Sequence, residues 1–401
     1  MRGFFFIITV VSLLLEFYNY QAFRTLFSQY WQRMFYWAIN IATYLFSFYL
    51  LLTLKGTPYN QMKTQLIISI FLGFIFPKAL VTIFLAVDDL IRSLTCFFHF
   101  PSSAKENHYP ERRKFLRLIG IGIAGIFSLL VVDGIIFGKY RYHVRKISLK
   151  LKDLPRTFRG YRIVQISDVH SGSFFHPERI QKAIDIINQQ EPDLVLFTGD
   201  MVNYLAKEFV PFVSLFARIK AKDGKYSVLG NHDYGSYALS TEKEQQQNIQ
   251  ELIALEKKAG FVCLRNEHIA IEKKGEKLYI IGVENWGIPP LPQYGNLDKA
   301  IENIPEKATK ILMSHDPTHF DHVVKNHPEY IALTLSGHTH GMQFGIDLKH
   351  HKWSPVKYKY PKWIDLYKSK NRYLYVNRGF GVIGYPGRVG INPEITLFEL
   401  S

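Results

Sequence analysis

The sequence predicts an α/β domain that follows an all-α membrane region of about four transmembrane helices. Most of the long apolar runs lie in residues 1–138. Beyond them, short apolar runs alternate with amphipathic helical patterns, and this alternation is typical of α/β proteins. Two of these patterns predict helices over about 207–220 and over Gln245–Lys258. We therefore expect a transmembrane region over 1–138, a linker with an edge strand over 139–160, and a folded domain over 161–401.

Four stretches of the first region are long and apolar enough to cross a bilayer, because a transmembrane helix needs about 20 mostly apolar residues. They cover approximately residues 4–20, 34–54, 66–87 and 115–138, and the longest loop is expected over 88–114. Glu16 interrupts the first stretch, but no small-residue cleavage site follows it, so we expect an anchor rather than a signal peptide. Pro77 predicts either a kink in the third stretch or packing against a neighbouring helix.

Basic residues around these stretches predict their orientation. Arg112 and Arg113 precede the last stretch, either as a twin-arginine export signal or as the positive flank of an ordinary span, and both interpretations place them in the cytoplasm. The expected inner loops carry seven basic residues against three in the outer segments, which places the chain after Lys139 outside the cytoplasm. The basic run from Lys139 to Lys152 favours the opposite orientation, although large domains cross largely regardless of charge.

Composition narrows the class of partner. The formal net charge is +15, which favours anionic partners such as a membrane surface, a phosphorylated substrate or nucleic acid. Because much of this charge flanks the apolar stretches, we expect the first two and do not expect nucleic acid. The chain has only two cysteines, Cys96 and Cys263, so a disulfide framework is not expected.

Five short polar clusters in the second part of the chain each follow an apolar run. They are Asp168-Val169-His170, Gly199-Asp200, Gly230-Asn231-His232-Asp233, Ser314-His315-Asp316 and Gly337-His338-Thr339-His340. Short apolar runs bounded by glycine and proline are typical of buried strands, and ligands of α/β sheets collect where such strands end. The clusters are therefore expected to face one common site.

The donor types predict a metal site. Aspartate, histidine and asparagine offer oxygen and nitrogen without a thiolate, and this set suits Mn, Fe or Zn in an open site better than a closed thiolate zinc site. The donors are too many for one ion, and Asp200 could bridge two. Two cations about 3.5–4 Å apart would activate a water and hold both oxygens of a displacement at phosphorus.

The order of these motifs resembles the calcineurin-like metallophosphoesterases over roughly residues 160–401. The closing stretch, from Asn377-Arg378-Gly379 through Gly387-Arg388 to Pro393-Glu394-Ile395, is similar to the membrane-linked bacterial branch of that family. The resemblance implies a two-sheet sandwich flanked by helices. It also implies a metal-dependent phosphoesterase in a bacterial inner membrane. The orientation predicted from the basic residues places its catalytic domain outside the cytoplasm.

The resemblance also implies a role for each motif residue. The first of two divalent metal ions (Mn, Fe or Zn) would be held by Asp168, His170, Asp200 and His340, and the second by Asp200, Asn231, His315 and His338. His232 would give a proton to the leaving oxygen, and Asp233 would orient its other ring nitrogen. A hydroxide bridging the metals would be the nucleophile, without a covalent enzyme intermediate.

Local patterns add further expectations. On a continuing strand, Asp168 and His170 would point to one face because they are two residues apart. The glycines at 199, 230 and 337 each precede a predicted ligand, where positive φ or a close backbone approach would require glycine. Asp316 could either cap a helix or support a metal ligand, and we favour the cap.

Other residues are open to two interpretations. Asn231, Arg378 and Arg388 could contact substrate phosphate, while salt bridges are an equal alternative for the two arginines. His319, His322 and His327 are expected at the surface of a helix. The aromatic, basic insertion around residues 350–363 could dip into the membrane surface or cover the substrate. The alternative is a solvated loop.

The sequence thus predicts a membrane-anchored phosphoesterase with two metal ions, acting on phosphate esters or anhydrides that include lipid-linked or envelope substrates. One alternative is a cytoplasmic-facing nucleotide phosphodiesterase. Another is a non-catalytic membrane protein that binds a phospholipid or a partner. A transporter is less favoured, because few charged residues lie inside the stretches, and we take Glu16 and Lys78 as the candidates.

Overall fold

The computed structural model describes residues 2–24, 26–54, 61–98 and 110–401. By its internal contacts the chain divides into two compact units, Met1–Ile135 and Ile136–Ser401. The first unit is helical, and the second contains the sheets. The predicted fold class, a helical membrane region followed by a two-sheet α/β domain, is confirmed.

The first unit consists of helices that suit a membrane. They are α1 Arg2–Leu14, α2 Glu16–Phe23, α3 Tyr30–Thr53, α4 Gln61–Ile70, α5 Phe76–Phe98 and α6 Pro110–Ile136. Three continuous segments are long and apolar enough to cross a bilayer, namely Tyr30–Thr53, Gln61–Leu94 and Lys114–Tyr140. Helices α1 and α2, bent by 50°, make a fourth span if the bent pair is counted as one.

Two details of this unit differ from the prediction. The loop expected over 88–114 is shorter, because α5 continues through Phe98 and α6 begins at Pro110. Residues 99–109 lie outside the described residues. Two of the basic residues counted for the orientation, Lys55 and Lys105, also lie outside them. A π-helical turn, Phe71–Ile75, ends two residues before Pro77 and joins α4 to α5. Proline cannot donate a backbone hydrogen bond, and a π turn is one way to accommodate that loss within a continuous helix.

A buried ion pair lies inside the helical unit. Lys78 Nζ is 2.6 Å from Glu16 Oε2, and both side chains are almost fully buried. Tyr44 donates to the same carboxylate oxygen at 2.9 Å, and Tyr36 donates to the other. Lys78 also donates to Asn40 Oδ1. The charges are therefore satisfied by residues of other helices, and Glu16 is a partner in helix packing rather than only an interruption of the first span.

The second unit contains the strands β1 His143–Leu149, β2 Arg162–Ile166, β3 Leu194–Phe197, β4 Lys225–Ser227, β5 Phe261–Cys263, β6 Glu267–Lys273, β7 Glu276–Gly282, β8 Thr309–Met313, β9 Leu333–Ser336, β10 Ile346–Asp347, β11 Lys352–Trp353, β12 Asp365–Ser369, β13 Arg372–Val376 and β14 Glu394–Leu400. Its α-helices are α7 Gln181–Gln189, α8 Val213–Phe216, α9 Glu242–Lys258, α10 Leu297–Ala300 and α11 Thr318–His322. All five apolar runs that precede the polar clusters are strands.

Two six-stranded sheets form the unit. Their strand orders are β1-β14-β2-β3-β4-β5 and β12-β13-β9-β8-β7-β6, and β10 and β11 pair as a separate hairpin. Within the first sheet β2, β3 and β4 are parallel, and within the second β8 and β9 are parallel. The carboxyl ends of parallel strands share one edge of their sheet. Each sheet therefore presents a set of polar clusters along one edge.

The apolar core has three layers. Side chains such as Ile163 and Leu196 from the first sheet pack with Ile311 and Leu335 from the second. The alternate residues of the same strands, Val164 among them, face α7 and α9 on the outer side of the first sheet. A third cluster covers the outer side of the second sheet with α10 and α11. Both sheets are thus buried on two faces, which explains why their strands appear as continuous apolar runs.

Two helices depart from their predicted bounds for local reasons. Helix α9 begins at Glu242 rather than 245, because the Thr241 hydroxyl accepts from Glu244 N and the Glu244 carboxylate accepts from Thr241 N. The predicted helix over 207–220 is instead a 3-10 turn, Ala206–Phe212, followed by the short α8. Pro211 lies inside that turn and is incompatible with a regular α-helix there.

We expect the Lys78→Met variant to lower the midpoint of thermal unfolding of the full chain in detergent. The change leaves the Glu16 carboxylate buried without its cation, and breaking such a pair costs about 3 kcal/mol or more. The double variant Glu16→Gln/Lys78→Met should recover most of that loss, because no charge then remains buried. Arg92→Met, which removes the exposed pair with Asp89, is the control and should have little effect. A double variant less stable than Lys78→Met alone would contradict a role for the ion pair in helix packing.

Candidate metal centre

Polar residues from five strand ends meet between the two sheets. Asp168 and His170 follow β2, Asp200 follows β3, and Asn231 and His232 follow β4. The second sheet contributes His315 after β8 and both His338 and His340 after β9. The structure thus brings the predicted ligands together, three strand ends from one sheet and two from the other.

The first group consists of Asp168, His170 and His340, which are all buried. Each offers one ligand atom, and these atoms lie within 4.8 Å of one another. His340 Nε2 is 3.2 Å from Asp168 Oδ1 and 3.0 Å from His170 Nε2. Two ring nitrogens and a carboxylate oxygen therefore point at a common centre.

The second group consists of Asp200, His315 and His338, with the same mutual spacing. Asn231 belongs to it as well, because its Oδ1 is 2.9 Å from His338 Nδ1. His315 Nδ1 is 2.7 Å from the carbonyl oxygen of Thr198, so this nitrogen donates and leaves Nε2 to face the site.

Asp200 joins the two groups. Its Oδ2 is 3.5 Å from His170 Nε2 in the first group and 3.1 Å from His315 Nε2 in the second. Its Oδ1 accepts from the backbone N–H of His232 at 2.9 Å. The carboxylate is thus fixed on one side by backbone and turned on the other toward both groups of donors.

The backbone at the candidate ligands is strained. Asp168, His170, Asp200, His338 and His340 all have positive φ, between 47° and 71°. Non-glycine residues rarely adopt this conformation, and it concentrates at functional sites. The expectation that Asp168 and His170 continue a strand is wrong, because β2 ends at Ile166 and both residues lie in the turn that follows. The turn, rather than strand alternation, points both side chains into the site.

The glycines act mainly by permitting close approach. Gly199 has a φ of +94° and does require glycine. At Gly337 a Cβ would instead overlap Ser167 Oγ and Asp168 Oδ2, and at Gly230 it would overlap Asp200 Oδ1. These glycines therefore make room for the candidate ligands themselves.

Asp233 does not orient His232, contrary to the expectation from sequence. Its carboxylate accepts from the backbone N–H groups of Asp200, Met201 and Gly230, each at 2.8 Å. Burial and the charge of Asp200 raise the pKa of Asp233 to about 7, against the backbone donors that favour its ionised form. Asp233 therefore fixes the turns after β3 and β4.

His232 is held by a backbone carbonyl instead. Its Nδ1 is 2.7 Å from the carbonyl oxygen of Asn203, so Nδ1 donates and Nε2 is directed elsewhere. The ring packs against His170 with centroids 5.0 Å apart. Burial lowers the pKa of His232, although the Asp200 carboxylate opposes that shift. The ring is thus positioned beside the first group without belonging to either group.

Two tyrosines that the sequence reasoning missed complete the second group. Tyr237 OH accepts from Asn231 Nδ2 at 2.9 Å, which turns Asn231 Oδ1 toward His338. Tyr360 OH is 2.9 Å from His338 Nε2. Tyr237 lies six residues after Asn231, but no spacing rule identified it as a partner of that amide. Tyr360 and Trp363 of the predicted insertion pack in a buried apolar cluster, whereas Tyr358 is exposed.

Asp316 forms the cap that the sequence favoured, whereas its other carboxylate oxygen makes no hydrogen bond. Its Oδ1 accepts from Thr318 N at 2.8 Å, as the cap predicts, and its Oδ2 is 3.6 Å from His338 Nε2. His319 is buried rather than at the surface, with Nδ1 2.9 Å from Ser314 Oγ, and burial lowers its pKa to about 4. His322 is exposed and His327 is half-buried.

The two arginines are engaged with the protein. Arg378 is buried in an ion network with Asp347, Asp365 and Glu394, which is the salt-bridge alternative. Arg388 is also buried and donates to the backbone carbonyls of Gly379 and Gly381, with its Nη2 3.4 Å from His340 Nδ1.

The charge of the site calls for a cation. Burial would lower the pKa of His315, but the carboxylates of Asp200 and Asp168 outweigh it and raise the pKa to about 10. The buried carboxylates thus hold positive charge at this point, which either a proton or a metal ion supplies. A metal ion fits the donors, because His315 Nε2 is buried beside the Asp200 carboxylate and makes no hydrogen bond.

Comparison with known proteins also indicates a phosphoesterase with a transmembrane domain. A family model described as calcineurin-like phosphoesterase matches residues 161–342. A second, described as the transmembrane domain of a probable calcineurin-like phosphoesterase, matches residues 1–139.

Related proteins include the uncharacterized metallophosphoesterase YkuE of Bacillus subtilis (strain 168), which is 29% identical over 309 residues covering 73% of this chain and 98% of the relative. A Danio rerio transmembrane protein with metallophosphoesterase domain is 25% identical over 284 residues, 69% of this chain and 61% of the relative. Among solved structures, the NAD nucleotidase of Haemophilus influenzae matches with a TM-score of 0.36 and 15% identity, over 55% of this chain and 45% of that one. This last similarity is too low to bear on the assignment.

The two family models together match most of the chain, and the residues that they cover include the helical unit and the converging donors. The chain therefore belongs to the calcineurin-like metallophosphoesterases, as a metal-dependent phosphoester hydrolase that carries a transmembrane domain.

Proposed function

We propose that the second unit binds two divalent cations and hydrolyses phosphate esters between the ends of its two sheets. The observation that carries this proposal is the position of Asp200, whose Oδ2 lies near a histidine of each group. A carboxylate oxygen placed between two donor groups is suited to bridge two ions. A site for a single ion has no need of the second group.

The donors divide between the two cations as follows. The first is proposed to take Asp168, His170, His340 and Asp200, and the second Asp200, Asn231, His315 and His338. Oxygen and nitrogen donors without thiolate suit Mn, Fe or Zn. When bound, such ions lower the pKa of water and neutralise phosphate oxygens.

His232 is proposed as the proton donor to the leaving oxygen. Because Nδ1 is occupied by the Asn203 carbonyl, a second proton on the ring resides at Nε2, the atom free to meet a substrate. Asn231 and the backbone around it are proposed to contact the phosphate as well. The observed contacts of Arg378 and Arg388 favour support of the site walls over direct contact with substrate.

The membrane region supports a substrate found at the bilayer, such as a lipid-linked or envelope phosphate. We also propose that the catalytic unit lies outside the cytoplasm of a bacterial cell, since Arg112 and Arg113 flank the N-terminal end of the last span. The same site on the cytoplasmic side would instead meet nucleotides, which is the alternative.

Two substitutions test the chemistry. Asp200→Asn should abolish hydrolysis of p-nitrophenyl phosphate and bis-p-nitrophenyl phosphate in Mn²⁺, because it weakens both cation sites. His232→Ala should lower kcat by about 10²–10⁴-fold for an alkyl phosphate, whose leaving oxygen needs a proton, and by less for p-nitrophenyl phosphate. His322→Ala, which changes an exposed histidine, is the control and should retain activity. Full turnover in both Asp200→Asn and His232→Ala would exclude the mechanism.

Metal content tests the number of ions. The purified full chain, loaded with Mn²⁺ and freed of excess metal, should hold two equivalents by elemental analysis. His338→Ala should retain about one, because it removes a donor of the second group only. A wild-type protein with a single equivalent would show that Asp200 does not bridge two ions.

Labelling of intact cells tests sidedness. Val210 is exposed on the second unit, so Val210→Cys in a chain whose own cysteines are serine should be reachable by a maleimide that cannot cross membranes. We expect labelling in spheroplasts of an expressing bacterium without lysis. Labelling only in inverted vesicles would place the unit in the cytoplasm and favour the nucleotide phosphodiesterase.

A further inference from the structure

A short exposed hairpin follows His340 closely in the sequence. It consists of β10 and β11, with Ile346 opposite Trp353 and Asp347 opposite Lys352. Leu348 and His351 exchange backbone hydrogen bonds at 3.0 and 3.3 Å, so Lys349 and His350 form its tip. We refer to residues 346–353 as the tip hairpin.

Alternation along β10 gives the tip hairpin an apolar outer face. Asp347 points inward, where it pairs with the buried Arg378 and with Arg145. Its neighbours Ile346 and Leu348 therefore point outward, and 41% and 63% of their surfaces are exposed. An exposed apolar patch that is rimmed by polar residues is typical of an interaction or membrane surface.

Further exposed apolar residues flank the tip hairpin. Met342 precedes it and is 54% exposed, and Tyr358 follows it and is 76% exposed. Between and beside these residues lie the exposed basic side chains of Lys349 and Lys359 together with His350 and His351. Apolar side chains surrounded by basic ones match an anionic lipid surface, where the former enter the interface and the latter meet phosphate.

The base of the tip hairpin is tied to the point where the chain enters the second unit. Gly345 N donates to Val389 O at 2.9 Å, and Phe344 pairs with Val389 as an isolated bridge. The preceding residue, Arg388, packs its carbonyl so closely on Gly138 that a Cβ there would overlap it. Gly138 lies within the candidate span Lys114–Tyr140, near its end. Val389 and Arg388 thus connect the hairpin base to Gly138 near the end of that span.

We propose that the tip hairpin docks on the anionic surface of the bilayer in which the same chain is anchored. Chain continuity keeps Gly138 at the membrane boundary, and the contacts through Arg388 and Val389 bring the hairpin base to the same boundary. Its outward apolar residues and basic tip then meet the lipid. Docking rests on the proposed function only for its benefit, because Arg388, which contacts the hairpin base through Val389, also contacts His340 and so links the docked element to the donor groups.

A fluorescent label tests the docking. The variant Leu348→Cys, in a chain whose Cys96 and Cys263 are serine, is labelled with an environment-sensitive dye and placed in nanodiscs of phosphatidylcholine, alone or mixed with phosphatidylglycerol. We expect blue-shifted emission and quenching by spin-labelled acyl chains in the anionic nanodiscs. Val262→Cys is the matched control, because Val262 is exposed on β5 at the edge of the first sheet away from β1. Its label should keep the emission of a dye in water.

Charge reversal tests whether the basic tip contributes to docking. Lys349→Glu in the Leu348→Cys chain should weaken quenching in the anionic nanodiscs, because the docking equilibrium constant falls by about fivefold or more. One basic residue near anionic lipid contributes about fivefold, and the substitution also adds a negative charge. Lys307→Glu, at another exposed lysine, should leave quenching unchanged. A Leu348 label that is unquenched in both lipid compositions overturns the proposal. So does a label that is equally blue-shifted in both lipid compositions and is not quenched by the spin-labelled acyl chains, because protein, such as a second copy of the chain, would then cover the hairpin.

Hydrolysis of p-nitrophenyl phosphate by the same preparations keeps the two proposals apart. If the Leu348 label docks and no hydrolysis occurs, the proposed function fails and the membrane contact stands. If hydrolysis occurs and the label remains in water, the membrane contact fails and the proposed function stands. Lys349→Glu should not change turnover of this soluble substrate, because Lys349 lies at the tip and outside both donor groups.

Discussion

The Asp200 carboxylate is the group on which the rest of the site depends. Its backbone N–H is held by Asp233, its Oδ1 holds the backbone of His232, and its Oδ2 faces both His170 and His315. One side chain therefore sets the separation of two donor groups and the position of the proposed proton donor. The two sheets supply the frame, because parallel strands end together and leave their turns on one side.

Burial makes this arrangement selective for positive charge. Asp168 and Asp200 lie in a nearly dry site, where an uncompensated carboxylate is costly. Several neutral imidazoles do not remove that cost, whereas a divalent ion does so and uses their lone pairs. The left-handed backbone at five candidate ligands also costs free energy of folding, and it turns those donors toward the site. Cation binding, rather than packing alone, thus accounts for the way these turns are built.

The sequence was sufficient to predict the two-part architecture, the five strands and the donors that meet, because each strand end carries its own polar motif. The sequence did not predict the contacts that depend on the backbone conformation of a turn. Asp168 and His170 converge through a left-handed turn, and Asp233 serves backbone N–H groups rather than the adjacent histidine. His319, Tyr237 and Tyr360 have roles set by packing between segments distant in sequence, which periodicity and spacing do not encode.

Gly138 carries a consequence for how such a chain can evolve. It has no room for a side chain against Arg388, and Arg388 in turn supports the carbonyls of Gly379 and Gly381 and touches His340. The first residues after the last helix therefore support the candidate metal centre through Arg388, and they are not an exchangeable linker. A foreign anchor joined ahead of Ile136 preserves the contact between Gly138 and Arg388, whereas one that replaces Gly138 disrupts it. In this chain, exchange of the membrane anchor is therefore confined to junctions that leave Gly138 in place.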